Sequence, residues 1–451
     1  MGNKRKAGVL LGLLLTFSLV AAACGGDDDD ASSDTTEAGS STSANSLVGM
    51  KGTTPLVDLG DEFKDRLLKI DPALVDYNYA AESYDATIIS ALAAEEAKTD
   101  GSDYASKING ITREGTKCQD WASCVKVVKE GGDVDYDGQS GELEFSGNGE
   151  PTKASYGVLQ FGTEGCDELT DAQSECIDNA KTTFVSATAP PEADVAQVPV
   201  EAARAGDGTF TVGTLLPKTG SLAFLGPPEF AGVKLAIEEI NTGGGVLGKN
   251  VGYIEGDSGD TDNKVAPGTV DTLLSQNADV IIGAASSSVT LSVIDKITTA
   301  GVTMFSPANT SKKLSTYADK GLYFRDAPSD ILQGGVLADT ITGDNHSNVY
   351  VLALNDDYGT GLADDFQKAF EDGGGKVVGK KIYDPKAADY APEVEAAKAA
   401  DPDAVILIGF DESSRILSKM VEQGIGPSTV PTYGVDGNMG NALAKNFEDG
   451  K

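Results

Sequence analysis

Residues 281–291, Ile-Ile-Gly-Ala-Ala-Ser-Ser-Ser-Val-Thr-Leu (IIGAASSSVTL), decide how the chain is read. An apolar run ends at a glycine and passes through Ser286, Ser287 and Ser288 into an amphipathic stretch. The pattern predicts a strand feeding a helix, with hydroxyls where the helix opens. The first N–H groups of a helix have no backbone partner, and its dipole favours negative charge there. Serines at that point either cap the helix or, with the free amides, hold an anion such as a carboxylate. No Gly-rich phosphate cradle accompanies them.

The same alternation extends both ways. Upstream, Phe210–Leu216 (FTVGTLL) is strand-like, and 229–241 (EFAGVKLAIEEIN) places Phe230, Val233, Ile237 and Ile240 on one helical face before Gly243-Gly244-Gly245 stops it. A strand at 251–255, a helix at 264–275 and a strand at 280–283 follow. Then come a helix at 288–299 and a strand at 302–305. Beyond Phe324-Arg325 the spacing predicts helices over 331–341, 362–372, 391–399 and 414–423. Strands are predicted over 348–354, 376–382, 404–408 and 430–434. Strands alternating with helices over short connections imply parallel sheets covered on both faces. Their number divides into two Rossmann-like α/β lobes, changing near 325–330. Open sheets of this kind place ligands past the carboxyl ends of their strands. There stand Ser306-Pro-Ala-Asn-Thr310, Asn355-Asp-Asp-Tyr358-Gly-Thr-Gly361, Phe410-Asp-Glu412 and Asp436-Gly-Asn438. Facing one another across a cleft, these loops offer donors for a carboxylate on one wall, and an acid for an ammonium with aromatics on the other.

Composition sets the outer bounds. The chain has 451 residues, 40% hydrophobic and 23% charged, enough for two or three globular domains. Its 70 Asp+Glu against 35 Lys+Arg give a formal net charge of −35, which repels phosphate polyanions and argues against a nucleic-acid partner. Lys4-Arg5-Lys6, an apolar Ala7–Val20 run and Ala21-Ala22-Ala23-Cys24 form an export signal. That run of about 14 residues is shorter than the ~20 needed to span a membrane. A Cys just after small residues resembles a bacterial lipoprotein signal, in which the Cys24 thiol receives the lipid, although Ala21 stands where Leu is usual. The acidic, Ser/Thr-rich segment after it cannot bury a core and is expected to be a disordered tether. In an oxidising compartment the other four cysteines form disulfides. Cys118–Cys124 and Cys166–Cys176 are the economical pairs among three connectivities; zinc is the alternative, disfavoured because there is no C-x2-C and only one histidine, His346.

Two further motifs are weighed against bland readings. Gly256-Asp257-Ser258-Gly259 matches a protease nucleophile segment, but acyl transfer needs a base, and His346 lies in a distant polar turn. No catalytic residue is assigned, and no cofactor or metal is expected. Residues 133–144 (DVDYDGQSGELE) place acids at 1, 3, 5 and 12 and glycine at 6, as a calcium loop does. Such a loop needs helices on both sides, whereas Gly131-Gly132 precede it and a strand and Gly147-type turn are expected after it; position 8 is Ser140.

The motifs together are similar to those of the type I periplasmic binding proteins of branched-chain amino-acid ABC importers. The resemblance rests on "GTLLPKTGSLAFLGPPEFAGVKLAIEEIN", "IIGAASSSVT", "FSPANTS", "LYFRDAPSD", "NDDYGTGLADDF" and "YGVDGN", in the family's order over about 208–451. It implies that Ser286, with Ser287 beside it, and Ala308, Asn309 and Thr310 hold a ligand α-carboxylate. Tyr358 would touch the ligand from the other lobe, and Asp436, where the leucine/isoleucine/valine binders carry Glu, would pair with its ammonium. Phe224 and Leu225 occupy the loop where an aromatic is frequent, and Phe410 and Tyr79 complete the candidate set. "YNYAAESYDATIISALAAEEA" (77–97) and "DYDGQSGELEFSGNGEPTKASYGVLQF" (135–161) resemble the closing part of the same family, which makes 133–144 a hinge segment.

The implied protein is not an enzyme. It is an exported monomer, lipid-anchored at the outer face of the bacterial cytoplasmic membrane, that captures an amino-acid-like small molecule for an ABC transporter permease. A ligand-sensing ectodomain of the same fold, or a binder of amides, urea-like or other small polar solutes, is the alternative. The fold expected is two Rossmann-like lobes joined by hinge crossings, in circularly permuted order. Its expected parts are signal peptide 1–23, tether 24–46, lobe one 48–132 and 208–328, hinge and lobe-two hairpin 133–165, linker 166–207, and lobe two 329–451.

Overall fold

The computed structural model describes residues 46–169, 173–189, 199–201 and 203–450. The signal peptide, Cys24 and the tether up to residue 45 lie outside the described residues.

Lobe one is built on five parallel strands. Their order across the sheet is Tyr323–Arg325, Thr303–Ser306, Val280–Gly283, Thr211–Leu215 and Gly252–Ile254. The middle strands are apolar runs buried on both faces, as parallel pairing under helices requires. The helix Ala80–Ala97, from the first half of the chain, is buried almost all round. It lies along the helix Gly226–Thr242 and shares a core with Val212, Val280, Ile282 and Phe305. The two helices approach so closely that a Cβ on Gly232 would stand 2.2 Å from the Ala80 carbonyl oxygen. The expected single apolar face of Tyr84, Ile88 and Leu92 is therefore only part of its buried surface.

Lobe two carries an eight-stranded sheet. Five strands run parallel: Lys376–Tyr383, Asn348–Leu354, Ala404–Ile408, Thr432–Val435 and Lys51–Pro55. Lys153–Gly162 pairs antiparallel with Lys51–Pro55, and carries Cys176–Ile177 and Thr183–Thr188 on its other side. The chain passes between the lobes at 56–60, 146–152 and 326–329. Both local disulfides are formed, Cys118–Cys124 and Cys166–Cys176.

Three expected boundaries shift. Lys51–Pro55, expected within lobe one's 48–132, pairs residue by residue with Tyr433–Val435 and belongs to lobe two. The 133–165 segment divides. Val134–Tyr136 pairs with Thr116–Cys118 and Phe145 enters the lobe-one core, so only the strand from Lys153 joins lobe two. The expected linker 166–207 contains strand Thr183–Thr188, which hydrogen-bonds along Lys153–Val158. It is an edge strand with one partner and mostly exposed side chains, so no hydrophobic alternation marks it.

Candidate functional site

The site lies between the lobes, past the strand ends of both sheets. The strand Val280–Gly283 delivers the three serines, and each does a different job. Ser286 caps the helix Ser287–Thr299, its Oγ accepting from Val289 N at 3.3 Å. Ser287 Oγ accepts from Ser311 N at 3.3 Å, tying the two donor loops together. Ser288 Oγ reaches across to lobe two, donating to Asp356 at 3.0 Å and accepting from Asp357 N at 3.2 Å.

Ser286, Ser287 and Thr310 line one wall of an inner cavity, with Leu222, Leu225, Ala285 and Ala308 beside them. Tyr79 reaches in from the start of the helix Ala80–Ala97. Tyr358, Phe410, Asp436 and Gly437 close it from lobe two. Tyr358 and Phe410 stack with centroids 5.5 Å apart and planes 11° from parallel. The cavity is small, about 10 Å³, the room of roughly one water. It adjoins an outer cleft of about 720 Å³ through the shared residues Leu222, Ser286 and Phe410. The outer cleft is acidic, lined by Asp260, Asp262, Asp356, Asp384, Asp411 and Glu412 against Lys386 and Arg415.

Asp436 is the polar centre of the lobe-two wall. Its carboxylate accepts from Tyr358 OH at 2.7 Å, Tyr79 OH at 2.9 Å and Gln333 Nε2 at 2.9 Å. Burial pushes its pKa above the usual carboxylate range, and the three donors oppose that shift. A carboxylate has about four acceptor places, so roughly one is left for a donor in the cavity. Tyr79 holds its place from a left-handed backbone, φ 60°, uncommon outside glycine.

Of the sequence-predicted set, Tyr79, Leu225, Ser286, Ser287, Ala308, Thr310, Tyr358, Phe410 and Asp436 meet at this cavity. Asn309 does not. Its amide donates to the carbonyls of Ala284 at 2.9 Å and Ala285 at 2.8 Å, and its Oδ1 accepts from Tyr323 OH at 3.0 Å. Phe224 lies next door, in a smaller pocket with Phe410, Asn438 and Leu443. Gln333 was not anticipated from sequence; it sits one turn past Asp330 on the helix Asp330–Gly343, a spacing that has meaning only once Asp436 is placed beside it.

The two rival motifs serve the scaffold. Asp257 accepts from the amides of Lys218 (3.0 Å), Thr219 (3.3 Å) and Gly259 (2.8 Å) and from the Thr219 hydroxyl (2.7 Å), while Ser258 Oγ donates to the neighbouring Gly259 carbonyl. In the 133–144 run, Lys117 Nζ meets Asp135 and Asp137 at 2.9 Å and Glu142 at 3.5 Å. Lys153 Nζ meets Glu142 at 2.7 Å and Glu144 at 3.7 Å. Among the described residues no group of three or more His, Cys, Asp or Glu is arranged to hold a metal ion.

Two parallel α/β lobes enclosing a polar cavity at their strand ends, with donors on one side and a buried carboxylate on the other, define a two-lobed binding protein. The chain belongs to the periplasmic binding protein family, whose profile matches residues 209–448, more than half of its length. It is 28% identical over 215 residues to a Leu/Ile/Val-binding protein homolog 3 of Brucella melitensis, covering 47% of this chain and 57% of that one. It is 27% identical over 246 residues to the leucine-, isoleucine-, valine-, threonine- and alanine-binding protein of Pseudomonas aeruginosa, covering 54% and 65%. The chain thus spans less than two thirds of these relatives. Among solved structures, it is similar to the branched-chain amino acid transporter substrate binding protein LivJ of Streptococcus pneumoniae in complex with isoleucine, with 26% identity, 53% and 67% coverage and a TM-score of 0.48.

Proposed function

We propose that this protein captures a small amino-acid-like molecule between its lobes for an ABC importer. The observation that carries the reading is the opposition of two chemistries across one cavity. Ser286, Ser287 and Thr310 line one side of the inner cavity and Asp436 the other, with about one free acceptor place; since the cavity holds roughly one water, a ligand enters by parting the lobes. Apolar Leu222, Leu225 and Ala308 line the same cavity and would meet an aliphatic side chain once the lobes part. The names of the relatives, binders of leucine, isoleucine and valine, point the same way. Binding is by fixed polar contacts and lobe closure, with no chemistry on the ligand. Export, a lipid on Cys24, a monomeric state and a permease partner belong to the same proposal. Calorimetry of the purified protein against the twenty amino acids and their amides tests it. Micromolar binding of an aliphatic amino acid is expected, and no response to any amino acid would remove the reading.

We also propose that the chain is a circular permutant of the family order. The family profile begins at residue 209, while residues 51–55 and 80–97 pack into the same two lobes from ahead of it.

A further inference from the structure

The cavity's donor wall is unusual in what it hides. Arg325, fully buried at the end of the strand Tyr323–Arg325, donates from Nη1 to the Asn309 carbonyl at 3.2 Å and to the Ser311 carbonyl at 2.9 Å. Asp330 N donates to the intervening Thr310 carbonyl at 2.7 Å. In the adjoining loop the Ala284 and Ala285 carbonyls are held by Asn309 Nδ2, and Ala284 also by Ser306 Oγ at 2.7 Å. Every one of these carbonyls is therefore turned into the fold. The Thr310 N–H, by contrast, has no acceptor among the described residues.

An ionised carboxylate only accepts, so a peptide carbonyl aimed at it repels, whereas a neutral amide's NH2 would welcome one. Arg325 is itself fixed. Its Nε donates to Glu150 Oε2 at 2.9 Å, its Nη2 donates to the same oxygen and to Ser315 Oγ at 2.8 Å, and Ser315 Oγ donates to Glu150 at 2.9 Å. Glu150 comes from the 146–152 crossing, so the clamp joins two hinge passages and the ligand loop.

We infer that Arg325, anchored by Glu150, is a positioning residue that sets the site's preference for a carboxylate over the corresponding amide, by keeping the 309–311 loop donor-only toward the cavity. The inference rests on the proposed binding function but not on the ligand being an amino acid. Lysine cannot bridge two carbonyls and Glu150 as a planar guanidinium fork does.

The test is calorimetric titration of the full chain, Arg325→Lys and Glu150→Gln with two probe pairs, L-isoleucine/L-isoleucinamide and benzoate/benzamide. The unmodified protein is expected to prefer the acid in at least one pair by about tenfold or more, the net worth of one hydrogen bond. Arg325→Lys should bring that ratio toward one, chiefly by losing the acid, and Glu150→Gln should fall between. If benzoate is discriminated and isoleucine is not bound, the amino-acid reading falls and this inference stands. No discrimination in either pair by the unmodified protein overturns it, as does a loss of acid and amide affinity in equal proportion in the variants. Should Arg325→Lys fail to fold, the ratio in Glu150→Gln decides alone.

Discussion

Asp436 and Glu82 are both buried acids whose pKa burial raises, but only Asp436 has side-chain donors that oppose the shift. Asp436 receives three hydrogen bonds, which favour its ionised form against the cost of burial. Asp436→Asn should therefore weaken binding of an ammonium ligand by ~2–5 kcal/mol, the cost of breaking a desolvated charge pair. An unchanged affinity by calorimetry would take Asp436 out of the site. Glu82 lies near the buried carboxyls of Glu229 and Asp326 and beside Asp85. Burial first, and the Asp85 charge as well, push Glu82 up to about 8. A carboxyl raised on folding contributes stability that is full below its ordinary value near 4.3 and is lost as pH climbs through about 8. Glu82→Gln, which has no proton to lose, should stabilise the protein at pH 8.5 by up to about 5 kcal/mol and change little at pH 4. Melting curves showing the same difference at both pH values would contradict this. That Ser286, Ser287 and Asp436 stand at strand ends around one cavity was legible from sequence, because the alternation of strands and helices fixes where strands end. The inward turn of Asn309 was not, since an asparagine can donate to a ligand or to two carbonyls with equal ease.

At the scale of elements, the run 133–144 shows why pattern and structure part company. Its glycine and serine serve the helix Ala80–Ala97. Asp85 on that helix accepts from Tyr136 OH at 2.5 Å, Gln139 N at 3.0 Å, Ser140 N at 2.7 Å and Ser140 Oγ at 2.6 Å. A Cβ on Gly138 would lie 2.3 Å from that carboxylate, so position 6 needs glycine for a reason unrelated to calcium. Three of the four acids that would ligate an ion are already met, Asp135 and Asp137 by Lys117 and Glu144 by Lys153. Calcium at micromolar concentration should leave the melting temperature unchanged. A saturable stabilisation abolished by Glu144→Gln would restore the calcium reading. The order of strands and helices after residue 210 was legible, with most bounds within three residues, because long apolar runs and helical faces are dictated by burial on a parallel sheet. The edge strand Thr183–Thr188 was not, because exposure on both faces removes the periodicity that announces a strand. Helix Asp357–Asp372 begins five residues before its expected start at 362, since Gly359 and Gly361 lower local helix propensity while Asp356 supplies the cap through Gly359 N.

For the whole molecule, the question is chain order. Parallel neighbours in a sheet need a crossover, usually a helix. The strand Thr432–Val435 is followed by the helix Asn441–Glu448, but its parallel neighbour Lys51–Pro55 comes from the opposite end of the described chain. The two halves of this open βαβ unit are held together by Ser174 and Glu175, from the expected linker 166–207. Glu448 Oε1 accepts from Ser174 N at 2.9 Å and Glu175 N at 3.0 Å, while Glu175 Oε2 accepts from Leu47 N at 2.6 Å. Residues 448 and 47 thus share a partner, and a short join between them would cost little loop entropy. If the order is a permutation, a rearranged chain running 199–450 and then 46–189 should fold to the same two lobes. Its melting temperature should lie within about 3 °C, the effect of roughly 2–3 kcal/mol in a chain of this size, and its ligand response should be unchanged. A rearranged chain that stays unfolded, or folds without binding a ligand the original order binds, would show that the present order is needed, and the permutation proposal would fall.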